Sequence, residues 1–197
     1  MNYRQAIADY IRSEAQPPDK FAHQPRLYRL ATLLGAGQHF DDDVLYAAAW
    51  LHDTGVFVGH RPVDLVQLAA WDNVAYALRV IPELLERFAF PKEKIAPVLE
   101  AIRTHQPSGD PASLEAVLLR DADILEQLGA TGVVRMLSKV GRDTRYLTHE
   151  TAIAVLRKAA CELPDQLRLP LARELAKPRL RAMSSFFAAV DAEWQQE

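Results

Sequence analysis

Hydrophobic positions recur at helical spacing along nearly the whole chain, and no segment alternates apolar and polar residues convincingly enough to predict a strand. The pattern predicts helices at about 2–15, 20–36, 42–53, 63–88, 91–105, 113–128 and 130–140. Two more are predicted within about 148–195, divided near Pro164 and Pro178. We therefore expect an all-α protein.

Capping and helix-breaking residues set the boundaries between these helices. The segment Asp41–Asp43 supplies an N-cap and negative charge at the start of the third helix. The fourth helix is expected to kink at Pro82. Gly141-Arg-Asp-Thr marks a weak boundary later in the chain. The expectation is a single domain whose core covers about 20–140, with a C-terminal helical extension at about 145–195.

Composition narrows the class of protein. The chain of 197 residues is 49% hydrophobic and 25% charged, which is enough apolar material for a sizeable core. A net charge of −3 gives no basic surplus for a long nucleic acid or a membrane surface. The single cysteine, Cys161, excludes an internal disulfide and indicates a reducing compartment. A cytoplasmic protein is expected.

The distinctive chemistry lies at the end of the third predicted helix. The segment AAAWLHDTG at 47–55 ends a helix dense in alanine and leucine with His52 and Asp53. A charged side chain at the end of a buried helix is costly unless something compensates it, and a divalent cation would do so. Imidazole and carboxylate together suit Mn, Ni, Fe, Mg or Zn. The structural alternative is a packed histidine paired with Asp53.

Further candidates occupy inward-facing positions on other helices. His23 lies on the apolar face of the second helix, and Arg26 follows one turn later, where a guanidinium can hold a phosphate oxygen. His105 faces inward from the end of its helix. A later apolar helix carries Asp121 and Asp123, which project about 200° apart, so only one of them is expected to ligate an ion directly.

The order of these residues resembles the HD-domain superfamily of metal-dependent phosphohydrolases, and within it the bacterial subgroup of predicted HD phosphohydrolases. The resemblance covers about residues 20–195. The segments that carry it are His23 with Arg26, AAAWLHDTG, AIRTHQ, DADILEQLGATGVVR and the tail FFAAVDAEW. It implies an HD-domain-like helical bundle in which His23, His52 and Asp53 are metal ligands.

The fourth ligand is the point on which motif and helical wheel disagree. In the superfamily it is the Asp of an Ala-Asp-x-Leu pattern, which here is Asp123. The wheel favours Asp121, because Asp121 shares the apolar face of its helix. We follow the motif and predict Asp123 as the ligand, with Asp121 as a supporting or substitute carboxylate.

The sequence departs from the superfamily at two places. The Glu that some HD nucleotidases place three residues after the His-Asp is Val56 here. The additional histidine that dinuclear members carry about twenty residues after the His-Asp is absent from the segment Trp71-Asp72-Asn73. A complete second metal site is therefore not predicted, and His60 and His105 remain as supporting or catalytic groups.

The resemblance implies a metal-dependent phosphohydrolase that acts on a nucleotide or another small phosphate ester. Asp53 or Asp121 would orient the attacking water, and His105 would protonate the leaving oxygen. Arg26 would neutralise charge that develops on the phosphoryl group. Arg142 and Arg145 could form a lid that reaches the phosphate, the alternative being a solvated loop.

Partners and rival functions follow from the same reasoning. We expect a small phosphorylated substrate, no long nucleic acid and no membrane, and a homodimer through the first and last helices is left open. One alternative function is an HD-fold binding module that has lost turnover. The other is an HD-type di-iron oxygenase, which would hold two irons per chain.

Overall fold

The computed structural model describes residues 2–142 and 146–194, and in this part of the chain the regular structure is helical apart from one isolated bridge between Val58 and Arg61. The α-helices are α1 (Tyr3–Glu14), α2 (His23–Leu34), α3 (Asp42–Leu51), α4 (Leu65–Ala69), α5 (Asn73–Arg87), α6 (Lys92–Thr104), α7 (Leu114–Glu126), α8 (Gly129–Leu137), α9 (His149–Glu162) and α10 (Pro170–Trp194). Short 3-10 turns cover Pro18–Ala22, Thr54–Val56 and Pro164–Gln166. The prediction of an all-α protein is confirmed.

The chain divides into two compact units, Met1–Ala122 and Asp123–Glu197. In the first unit α3 lies at the centre and packs against α1, α2 and α6. Every residue from Val44 to Leu51 is buried, because three successive alanines let the neighbouring helices approach closely. The C-terminal end of this buried helix is where His52 and Asp53 lie.

Charge pairs fix the other end of α3. The Asp41 side chain accepts hydrogen bonds from the backbone N–H groups of Asp43 and Val44, which confirms the predicted N-cap. Arg4 donates to Asp43 at 2.6 Å, and Lys94 donates to the same carboxylate at 2.8 Å. The hydrogen bonds from Arg4, and then those from Lys94, hold the pKa of Asp43 well below its usual range. These contacts tie α1 and α6 to the start of α3.

The prediction of one helix over 63–88 is wrong. The structure has two helices there, because the Asp72 side chain accepts a hydrogen bond from the backbone N–H of Ala75 and so caps a new helix, α5. Pro82 lies inside α5. The interruption at 70–72 places Trp71 against the turn that follows His52 and Asp53.

The second unit is built from the end of α7 and from α8, α9 and α10, whose apolar faces pack together. Pro178 lies inside α10, so the predicted division of the C-terminal helices occurs at Pro164 and not at Pro178. Pro178 has no backbone N–H and removes one hydrogen bond from α10. Burial of Met183 and Phe187 on the inner face of α10 stabilises the continuous helix and compensates for this loss.

Residues 143–145, which include Arg145 of the expected lid, lie outside the described residues. The division into a core at about 20–140 and an extension at about 145–195 stays a prediction. Across residues 2–142 and 146–194, none of the helices combines the length and the apolar character that crossing a lipid bilayer requires.

Candidate metal centre

His52 is held at the C-terminal end of α3 by two contacts with the helix itself. Its backbone N–H donates to the Ala48 carbonyl, and its ring Nδ1 lies 3.1 Å from the Ala49 carbonyl oxygen. The residue is 1% exposed. Asp53 follows with φ −93° and ψ 12°, a backbone conformation that leaves the helix and begins the turn at Thr54–Val56.

Two buried histidines face the Asp53 carboxylate. The Nε2 of His23, the first residue of α2, lies 3.7 Å from Oδ2, and the Nε2 of His52 lies 3.6 Å from Oδ1. One ligand atom from each of the three residues lies within 4.8 Å of the others. Two ligands of one ion, each at about 2.1 Å, can be separated by at most about 4.2 Å, so the measured distances to Asp53 suit a shared cation.

The hydrogen bonds of the His52 and His105 rings set which nitrogen carries the proton. A carbonyl oxygen only accepts, so the Nδ1 of His52 donates to Ala49 and the Nδ1 of His105 donates to Ile102, at 2.5 Å. In the neutral rings each Nε2 therefore keeps its lone pair, which is the arrangement that metal-binding and proton-accepting histidines require.

His105 lies beside the centre. The residue is 4% exposed, and its ring centroid is 5.0 Å from that of His52. Arg120 holds the loop that follows it: its Nη2 donates to the Pro107 carbonyl at 2.6 Å, and its Nε donates to the Gln106 carbonyl at 3.4 Å. Arg120 is 3% exposed, so its guanidinium is a buried group and not a solvated helix charge.

The remaining predicted site residues differ in burial. Arg26 lies half-buried on α2, one turn after His23. Asp121 is fully buried, with Oδ1 4.0 Å from the Nη1 of Arg120. Asp123 belongs to the second unit and is half-buried there, where its carboxylate accepts a hydrogen bond from Gln127 at 3.1 Å.

The structure thus brings His23, His52 and Asp53 together in the first unit, with the His105 ring next to them. The roles of these residues, and the choice between Asp121 and Asp123 as the fourth ligand, stay predictions. The segment that lacks the additional histidine of dinuclear members has structural contacts instead: Trp71 donates to the Gly55 carbonyl, and Asp72 caps α5.

The turn after Asp53 is pinned by side chains from three different places in the chain. His60 Nδ1 lies 2.7 Å from the Thr54 carbonyl, Trp71 Nε1 donates to the Gly55 carbonyl at 2.9 Å, and Lys20 Nζ donates to the Val56 carbonyl at 3.1 Å. These contacts of Lys20 and Trp71 are not predictable from the sequence, because helical periodicity does not indicate a side chain that bonds to a distant backbone carbonyl.

Comparison with known proteins relates this chain to one family. The model of the HD domain family matches residues 21–128, more than half of the chain. An uncharacterised protein, YpgQ of Bacillus subtilis, is 26% identical over 172 residues, which cover 83% of this chain and 78% of YpgQ.

Solved structures give the same relationship at the level of fold. A protein from Lactobacillus plantarum superposes with a TM-score of 0.76 at 22% identity, covering 99% of this chain and 98% of that one. The structure of YpgQ in complex with ADP superposes with a TM-score of 0.71 at 23% identity, covering 97% of this chain and 94% of that one. An HD-superfamily hydrolase from Bacillus thuringiensis superposes with a TM-score of 0.69 at 21% identity, covering 99% of this chain and 97% of that one.

Proposed function

This chain belongs to the HD domain family, and on that premise we propose that it is a metal-dependent phosphohydrolase acting on a nucleotide or another small phosphate ester. The observation that carries the proposal is the convergence of His23, His52 and Asp53, two buried rings and one carboxylate from two helices, within metal-binding distance. Nitrogen and oxygen donors of this kind suit Mn, Ni, Fe, Mg or Zn.

His23, His52 and Asp53 would hold the ion, with a carboxylate of α7 as the fourth ligand, assigned to Asp123 by the motif. When bound, a divalent ion lowers the pKa of its water and withdraws charge from a phosphoryl oxygen. Asp53 or Asp121 would orient the water through its carboxylate oxygens.

Two further side chains would act on the substrate directly. His105, whose Nδ1 proton is committed to the Ile102 carbonyl, would carry a second proton on Nε2 and give it to the leaving oxygen. Arg26 would pair with a phosphoryl oxygen, because a guanidinium offers several donors in one plane.

A nucleotide is supported as the substrate class by one relative. The related protein YpgQ has been crystallised in complex with ADP. The net charge of −3 agrees better with a small anionic ligand, met by a few local cations, than with a long nucleic acid.

Turnover of defined phosphoesters tests the proposal. Purified protein is assayed with Mn²⁺, Ni²⁺ and Mg²⁺ against nucleoside mono-, di- and triphosphates and p-nitrophenyl phosphate. Metal-dependent release of phosphate or pyrophosphate is expected. His52→Ala should abolish it, exceeding the roughly 100-fold loss that removal of a supporting residue causes. His39→Ala, at an exposed histidine, is the matched control and should leave turnover unchanged.

Absence of turnover with every metal and substrate, in protein that binds metal, would contradict the proposal and favour the binding module. Two irons per chain with no phosphohydrolase activity would favour the oxygenase.

A further inference from the structure

Glu14 and His60 form a hydrogen-bonded pair that joins the end of α1 to the turn after Asp53. The Nε2 of His60 lies 2.9 Å from a carboxylate oxygen of Glu14, and its Nδ1 lies 2.7 Å from the Thr54 carbonyl oxygen. The two residues are 46 positions apart in the chain. A second contact ties the same segments, since the Val58 N–H donates to the Gln16 carbonyl at 3.2 Å.

We propose that Glu14 and His60 are positioning residues that fix the backbone next to Asp53 and thereby aim its carboxylate at the metal ion. The inference rests on the proposed metal centre and extends it to residues that bind neither ion nor substrate. A backbone carbonyl fixes the orientation of its whole peptide plane, because the peptide unit is rigid. The Thr54 carbonyl belongs to the residue directly after Asp53.

The rest of the turn shows why this contact matters. The Thr54 hydroxyl donates to the Leu51 carbonyl at 2.6 Å, which ties the turn back to α3. Trp71 and Lys20 hold the next two carbonyls, but these lie farther along the chain from Asp53. An aspartate side chain has only two rotatable bonds, so a displaced backbone moves the carboxylate with it.

Both ring nitrogens of His60 are occupied by hydrogen-bond contacts within the protein. Both ring nitrogens face oxygen acceptors, so neither is available to ligate an ion or to exchange a proton with a substrate. The His60 side chain is 12% exposed and that of Glu14 is 38% exposed, so solvent reaches the pair mainly from the Glu14 side. A carboxylate opposite one nitrogen orients the ring, and it thereby holds the other nitrogen against its own acceptor.

Two isosteric substitutions of His60 separate the two hydrogen bonds. An asparagine amide places its nitrogen near the Nδ1 position, so His60→Asn keeps the donor to Thr54 and loses Glu14. A glutamine amide reaches the Nε2 position, so His60→Gln keeps the contact with Glu14 and loses Thr54. Mn²⁺ affinity of each purified protein is measured by calorimetric titration, and the unfolding temperature of each metal-free protein is measured beside it.

We expect His60→Gln to weaken Mn²⁺ binding about 10-fold, the loss typical of a residue that orients a metal ligand. His60→Asn should stay within about threefold of the unmodified protein, with both variants unfolding at similar temperatures. Equal affinities in both variants, or losses that only follow the unfolding temperature, would overturn the inference.

Glu14→Gln tests the pair without altering the ring, at a side chain exposed enough to tolerate the change. It should weaken Mn²⁺ binding by the same small factor as His60→Asn, which also loses the Glu14 contact, whereas Glu174→Gln, at an exposed glutamate paired with Lys177, should leave the affinity unchanged. Equal affinities in these two variants would also count against the pair. Mn²⁺ binding that depends on His60, in a protein that turns over no phosphoester, would overturn the proposed hydrolase and leave this inference standing.

Discussion

The Nε2 of His52 lies 3.6 Å from Oδ1 of Asp53, the residue that follows it directly in the chain. Consecutive residues of a continuing helix project about 100° apart, which would keep these side chains away from one ion. Here α3 ends at Leu51, and the backbone of Asp53 has already left the helix. The helix end is therefore what would allow these two neighbouring residues to ligate the same cation.

The fourth ligand can be identified by two matched substitutions. Asp123→Asn should weaken Mn²⁺ binding by about 10- to 100-fold, because the motif assigns this carboxylate to the ion. Asp121→Asn should weaken binding less and lower the unfolding temperature instead, since it alters a fully buried carboxylate. Calorimetric Mn²⁺ titration of both variants measures the difference. The opposite ranking would move the ligand to Asp121.

His105 can be tested as the proton donor through the leaving group. His105→Gln should reduce kcat about 100-fold or more on a phosphoester with a poor leaving group, because protonation of that oxygen is lost. The loss should be much smaller on p-nitrophenyl phosphate, whose leaving group departs without a proton. Steady-state kinetics with Mn²⁺ on both substrates measures this. Equal losses on the two substrates would show that His105 does not act as the donor.

Gly55 is required by the close approach of α5 to the turn after Asp53. A Cβ atom at this position would lie 2.3 Å from the Asn73 carbonyl oxygen, so Gly55→Ala would force the turn and the start of α5 apart. We expect a loss of about 2 kcal/mol in the free energy of unfolding, as overpacking typically costs. Gly37→Ala is the comparison: its φ is +78° with no atom within 4 Å of the added Cβ, so only the strain of about 1 kcal/mol remains.

Urea denaturation measures both variants. If Gly55→Ala cost no more than Gly37→Ala, the contact with Asn73 would be too loose to constrain the turn.

Asp43 should give the fold a measurable pH dependence. Its folded pKa lies below its ordinary value of 3.8 because Arg4, and then Lys94, donate to it. These contacts therefore stabilise the fold above about pH 4, and the contribution is lost as pH falls from the ordinary value towards the lowered one. Asp43→Asn should cost about 1 kcal/mol at pH 7.

The difference between Asp43→Asn and the unmodified protein should shrink below pH 4, which urea denaturation at several pH values measures. A difference that stays constant down to pH 3 would exclude ionisation of Asp43 as its cause.

Much of the helical architecture is predictable because it depends on local chemistry. Asp41 is a capping residue followed by an apolar run, and both the cap and the helix are found where the sequence places them. The break before α5 is not predictable, because an aspartate such as Asp72 is equally compatible with the exposed surface of a longer helix. The predicted helix break at Pro178 is wrong, since packing of α10 compensates for the backbone donor that proline lacks.

The grouping of His23, His52 and Asp53 is partly predictable, for a different reason. A charge at the end of an apolar helix is energetically costly, so His52 and Asp53 indicate a bound cation. His23 is predicted to face inward because it lies on the apolar face of its helix. The link between Glu14 and His60 leaves no such trace. Contacts between a side chain and a distant residue follow from tertiary packing, which hydrophobic periodicity does not encode.

Metal content per chain tests the central claim most directly. Protein loaded with Mn²⁺ and freed of excess metal is analysed by elemental mass spectrometry, alongside His23→Ala, His52→Ala and the surface control His39→Ala. One equivalent of metal is expected in the unmodified protein and in the control, with little or none in the two site variants. Equal metal content in all four proteins, or none in any of them, would contradict a metal centre built on His23, His52 and Asp53.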